Sequence, residues 1–342
     1  MGKFSALICI ILFTSKLWAF NNCYYLFQPH NLTQYFHSLR GSPSHKIHQV
    51  LSQGGHWLKI DSSLDIISHL RYRVWQPSRG QKVKQEVVLI GGLGQTAERF
   101  DQNSEFMRQM TKAGIKVIFL ELPGQGHTSI LHELENGKFK KVLPSELFLV
   151  LDSALEQLKQ NKIIKSKKFQ IMGHSYGGWL LTEYLNYSKR MDISKVHLLD
   201  TGLKSFHNEG MMYWLDPFFS INPFYKSFRN HSLTHFLKQM LKKDKEHYKN
   251  DPLKLDYAAS LYLGIMDYNA LSKAKYISDF YKMRVFIAEN TEFGSHFKNM
   301  IKDFYRKLNV FDKKLMILED SPHNIFLHTP SAGKIISEII TD

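Results

Sequence analysis

Apolar positions follow two rhythms along this chain. In HWLKI (56–60) and HLRYRVW (69–75) they alternate with polar ones, and Asp61-Ser62-Ser63 lie between the two runs. Alternation marks half-buried strands, and the turn residues predict an antiparallel pair at a sheet edge. Beyond residue 85 the apolar runs become continuous: EVVLIGG (86–92), KVIFLELPG (116–124), KFQIMGHSYGG (168–178) and KVHLLDTG (195–202). Between them come helical stretches at about 96–113, 144–161 and 178–189. Strands buried on both faces and alternating with helices predict a parallel sheet covered by helices on both sides. The rhythm stops near 203 and resumes with RVFIAEN (284–290), a helix near 294–308, KKLMILED (313–320) and a last helix after Pro330. The expected architecture is therefore α/β: an eight-stranded, mostly parallel sheet with a helical cap, about 203–281, inserted after the sixth strand.

The N-terminus has a different pattern. Lys3 precedes an apolar run from Phe4 to Phe13, and a small residue, Ala19, follows. A positive start, a short apolar stretch and a small residue at the cut predict a secretory signal over 1–19. The run is about half the ~20 residues a spanning helix needs. We expect export, to periplasm or exterior, with an uncleaved membrane anchor as the alternative. Residues 20–54, broken by Pro29, Gly41, Pro43, Gly54 and Gly55, read as an extension over the surface, and 55–342 as the main domain. Removal of 1–19 leaves Cys23 as the single cysteine, so no internal disulfide is expected.

Composition narrows the classes. With 43% hydrophobic and 22% charged residues, the chain of 342 can bury a substantial core and is not a disordered protein. The formal charge of +14 favours anionic partners, and Lys242, Lys243, Lys245 and Lys249 suggest peripheral contact with an anionic membrane surface. No nucleic-acid reader motif is present. His132-Glu133 does not complete H-E-x-x-H, and no metal or cofactor is expected.

The strongest chemical signal is Gly173-His174-Ser175-Tyr176-Gly177, placed where an apolar strand meets a helix. A tight turn there pushes the serine hydroxyl out above the sheet, with a helix N-terminus behind it. A serine nucleophile needs a base, and the chain order Ser, acid, His places that base after the last strand. His323 in Ser321-Pro322-His323-Asn324 is the candidate. The acid is expected after the preceding strand: Glu292 is the first choice, with Glu289 and Asp200 as alternatives. The backbone N–H groups of Tyr176 and of Leu93, in Gly91-Gly92-Leu93-Gly94, are the expected oxyanion donors.

GHSYGG, GGLG, LPGQGHTS (122–129) and SPHN together resemble the α/β-hydrolase superfamily over about residues 55–342. Within it the chain looks most like the lysophospholipase and monoacylglycerol-lipase-like group, also called the serine aminopeptidase S33 type. The resemblance implies an α/β-hydrolase fold, a cap over a lipid slot, and cleavage of carboxylic esters through an acyl-serine. It carries over Ser175 and His323 and, less fully, Glu292, because the family usually has Asp there and often His-Gly at Gly91-Gly92. Met211, Trp214, Phe218 and Phe219 in the apolar cap run are expected to line an acyl pocket. A small-ester esterase or an aminopeptidase-type peptidase is the alternative. A lipid- or partner-binding protein without turnover is the reading from a different class.

Overall fold

The computed structural model describes residues 40–52, 55–92, 95–102, 105–123, 125–136, 144–201 and 270–341. The expected signal, most of the extension and nearly all of the cap, including Met211, Trp214, Phe218, Phe219 and the Lys242–Lys249 cluster, lie outside these residues.

Eight strands form one sheet: β1 (His56–Lys59), β2 (His69–Trp75), β3 (Gln85–Ile90), β4 (Ile115–Leu120), β5 (Phe169–His174), β6 (Ile193–Leu199), β7 (Lys282–Ala288) and β8 (Lys313–Leu318). Their order across the sheet is β1-β2-β4-β3-β5-β6-β7-β8. β2 is antiparallel to both its neighbours, and every pair from β4 to β8 is parallel. The two rhythms of the sequence thus separate the antiparallel edge from the parallel body. β4 and β5 are buried along their whole length, as continuous apolar runs require.

The helices described are α1 (Pro43–Ser52), α2 (Ala97–Gln102), α3 (Glu105–Lys112), α4 (Gly126–Asn136), α5 (Pro144–Gln160), α6 (Tyr176–Tyr187), α7 (Gly294–Lys307) and α8 (Thr329–Ile340). On one face α3 and α8 pack together, and Met107, Met110, Ile335 and Ile339 meet Val87, Leu89, Val117 and Phe119 of the sheet. On the other face α5 packs on α6, and a 3-10 turn, Ala270–Tyr276, packs on α6 and α7.

Three elements depart from the sequence expectation. The 96–113 stretch is two helices, α2 and α3. Within the extension, α1 forms and packs against α4. α4 itself was not expected. Its N-terminus is capped from outside: the Glu121 carboxylate, at the end of β4, accepts from His127 N (3.0 Å) and also from Ala97 N of α2 (2.9 Å). One buried carboxylate thus satisfies the orphan donors of two helices. Arg71 of β2 pairs with this carboxylate and with Glu98. Burial nonetheless pushes Glu121 up to about 7. Gly126 is required beside it, since a Cβ there would lie 2.5 Å from the Glu121 carboxylate at a φ of +44°.

Candidate active site

Ser175 follows β5 directly and opens α6. Its backbone sits at φ 51° and ψ −116°, a strained region for a residue with a side chain. Three glycines permit it. A Cβ on Gly173 would lie 2.6 Å from Gly178 Cα, and one on Gly177 would lie 2.3 Å from the Ile90 carbonyl oxygen. One on Gly178 would lie 2.0 Å from Thr201 Oγ1. The strand, the turn and the helix therefore approach more closely than any side chain allows.

Ser175 Oγ lies 2.9 Å from His323 Nε2, and His323 Nδ1 lies 2.6 Å from Asp200 Oδ2. His323 comes from the loop after β8 and is nearly buried. Asp200 comes from the end of β6 and is fully buried. Its other oxygen, Oδ1, accepts from Ala288 N (3.0 Å), so the next strand fixes the carboxylate's orientation.

This arrangement corrects the expected acid. Glu292 does not reach the imidazole. Its Oε2 accepts from the His323 main-chain N–H (3.0 Å), while its side chain remains exposed. Glu289 is farther from the ring in role: its Oε2 accepts from Asp320 N (3.1 Å) and ties the loops after β7 and β8 together. The reason is positional. β6 lies between β5 and β7, so an aspartate at its tip is next to the serine strand and already enclosed. Glu292 starts in the loop after β7, exposed, and its side chain meets the main-chain N–H of His323 instead of the ring.

The histidine loop is held from several sides. His174 Nε2 donates to the His323 carbonyl oxygen (2.8 Å), as does Ile325 N (2.9 Å). Burial, with His323 nearby, pushes His174 down to about 3, so it stays neutral. Phe293 stands edge-on to the His323 ring at 4.4 Å between centroids, and Phe326 packs edge-on against His174 at 5.0 Å. Sequence reasoning assigned no role to His174, Phe293 or Phe326. The only available signal was that each lies close in sequence to a site residue.

Tyr176, an expected oxyanion donor, is the first residue of α6, and its ring stacks on Trp179. Leu93 lies outside the described residues. The preceding glycines do not, and two glutamines hold them. Gln95 Oε1 accepts from Gly92 N (2.5 Å). Gln125 is fully buried; its Nε2 donates to the carbonyl oxygens of Gly91 and Gly92 (3.2 Å for the latter), and its Oε1 accepts from Leu122 N (2.8 Å). Gln125 belongs to LPGQGHTS, so that motif's part here is to brace the loop at the end of β3. Among the described residues, no group of three His, Cys, Asp or Glu is placed to hold a metal ion.

The serine, aspartate and histidine follow one another in that order along the chain. A sequence comparison finds that the family model "Serine aminopeptidase, S33" matches residues 81–330. The chain belongs to the S33 family. It is a hydrolase of the α/β-hydrolase fold. No curated protein matches it. Among solved structures, the monoacylglycerol lipase of Paleococcus ferrophilus is 20% identical with a TM-score of 0.54, over 79% of this chain and 98% of that one. A soluble variant of monoglyceride lipase from Saccharomyces cerevisiae, in complex with a substrate analogue, is 16% identical with a TM-score of 0.56, over 84% and 94%. An esterase from Exiguobacterium antarcticum is 14% identical with a TM-score of 0.57, over 84% and 100%. At these identities the likeness of this S33 member to the three is one of fold.

Proposed function

We propose that this chain is an exported serine hydrolase of carboxylic esters, acting on lipids with one acyl chain in the manner of a lysophospholipase or monoacylglycerol lipase. The observation that carries the proposal is the continuous path Ser175 Oγ, His323 Nε2, His323 Nδ1, Asp200 Oδ2, with steps of 2.9 and 2.6 Å. Ser175 Oγ attacks the ester carbonyl as its proton passes to His323 Nε2. Asp200 holds the imidazole in the tautomer that leaves Nε2 free to accept, and stabilises the imidazolium that forms. The N–H groups of Tyr176 and Leu93 receive the oxyanion. The imidazolium then gives its proton to the departing alcohol, leaving an acyl-serine. Water, deprotonated by the same imidazole, attacks the acyl carbonyl, and the fatty acid leaves with Ser175 restored.

The apolar cap sequence around Met211, Trp214, Phe218 and Phe219 and the lipase neighbours support the acyl-chain substrate. The signal-like pattern at 1–19 supports export. The test is hydrolysis of lysophosphatidylcholine, monoacylglycerol, short p-nitrophenyl esters and an aminoacyl-naphthylamide, with Ser175→Ala alongside. Release of fatty acid from the first two by wild type, and a fall of about four orders of magnitude or more in the variant, is the expected result. Turnover confined to the amide would favour the second reading, a peptidase, which the S33 family description supports. Undiminished ester turnover by Ser175→Ala would end the proposal.

A further inference from the structure

The six parallel strands start within about two residues of one another, so the segments that lead into them lie side by side along one edge of the sheet, opposite Ser175. Direct contacts link them. Lys84 N donates to the Gly114 carbonyl oxygen (2.8 Å), and Lys165 N to Glu86 Oε2 (2.9 Å). Phe169 N reaches the Asp192 carbonyl oxygen (3.0 Å), Tyr281 Oη that of Ser188 (3.2 Å), and Met283 N that of Asp312 (2.8 Å). The six segments are 76–84, 112–114, 161–168, 188–192, 277–282 and 307–314.

These segments hold fourteen Lys and Arg and three acids, Asp192, Asp279 and Asp312; two further acids reach them from outside, Glu86, bonded to Lys116 and to Lys165 N, and Glu338, bonded to Lys314 and Arg284. Asp192 is held by Arg190 and Lys159, and Asp312 by Arg284. The described segments at the opposite edge, where the strands end, hold Glu121, Asp200, Glu289, Glu292, Glu319 and Asp320 and no Lys or Arg. Among the described residues, charge is therefore sorted along the strand direction. Lysines near helix C-termini favour the helix dipole, which accounts for part of the basic edge. It does not account for what stands among them. Of the eight large hydrophobic side chains exposed among the described residues, four lie in these segments: Val83, Met191, Phe280 and Phe311. Phe311 is 99% exposed and Met191 66%, and Val83 stands between Lys82 and Lys84.

We infer that this edge docks the protein on an anionic lipid bilayer. Lysines attract the charged headgroups over a Debye length of about 10 Å, and the apolar tips enter the layer beneath them. Across five strand spacings the edge is about 24 Å wide, broad enough to fix an orientation. Docked this way, the molecule holds Ser175 about 20 Å from the surface, the length of β5. The site then faces away from the bilayer and takes substrate that has left it. The docking surface is independent of which bond Ser175 cleaves.

The test is co-sedimentation of the full chain with vesicles of phosphatidylcholine and phosphatidylglycerol in equal parts, and with phosphatidylcholine alone. Two variants accompany it: Phe311→Ser, and Lys165→Glu, Lys167→Glu, Lys168→Glu together. All these positions are exposed, and an unchanged thermal midpoint establishes that each variant folds. Wild type is expected to bind the mixed vesicles, to bind phosphatidylcholine weakly, and to be released at about 0.5 M salt. The triple variant is expected to bind the mixed vesicles at least tenfold more weakly, and Phe311→Ser severalfold more weakly. Equal binding by wild type and both variants would overturn the inference, since the N-terminal apolar run and the cap lysines are common to all three. Equal binding to both vesicle types would overturn it too. So would variants that keep vesicle binding but lose retention of duplex nucleic acid.

Discussion

At the residue scale, two carboxylates serve one histidine in different ways. Asp200 meets the imidazole and Glu292 meets the main chain. Asp200→Asn would present an amide that donates as well as accepts, which favours the wrong tautomer. It is expected to lower kcat by about three to four orders of magnitude with KM little changed. Glu292→Gln keeps a carbonyl oxygen for His323 N–H and is expected to cost less than about tenfold. Steady-state kinetics of the two variants decide between the carboxylates: a larger loss in Glu292→Gln would restore the sequence expectation. The aspartate was legible as a residue at the tip of LLDTG, but its precedence was not. Sequence gives the order of the loops and not the direction in which each side chain faces.

At the element scale, close approach and remote capping govern. Gly178 must pass Thr201, so Gly178→Ala is expected to destabilise the protein by about 3 kcal/mol or more. Because the clash is with a side chain, adding Thr201→Gly should recover part of that loss, and denaturant unfolding of the single and double variants measures it. Gln125 braces the Gly91-Gly92 peptides that lead to the expected oxyanion donor. Gln125→Ala is expected to reduce kcat by about a hundredfold with a smaller effect on KM. A proportional rise in KM with kcat intact would instead make Gln125 a substrate-binding element. The strands were legible to within a few residues because their burial is written in apolar runs. α4 was not, because its cap, Glu121, is supplied by another element and leaves no local mark.

At the scale of the whole molecule, buried histidines set an acid limit to stability. His174 is held down to about 3, and burial holds His197, bonded through Nε2 to Gln170 Oε1 (2.7 Å), well below its ordinary value. In the unfolded chain both take up a proton near 6.5, and in the folded chain neither does until much lower pH. Their contribution is fully present above about 6.5 and is lost as pH falls, at up to about 1.4 kcal/mol per pH unit for each. Glu121, pushed up, opposes this with one group against two. Stability from urea unfolding is expected to fall between pH 6.5 and 5, and His197→Gln should flatten that slope. A slope unchanged by His197→Gln would mean that other groups carry it.

Periodicity alone determined the strands of the sheet and its antiparallel edge, because burial on one face or two imposes its own spacing on the residues. The glycines around Ser175 determined the turn, since only they fit where strand and helix nearly touch. The tertiary structure alone decided which acid meets His323, which residues brace its loop and the Gly91-Gly92 turn, and that the basic residues and apolar tips share one edge. Each of these depends on neighbours far apart in the chain, brought together by a strand order that differs from the order of synthesis.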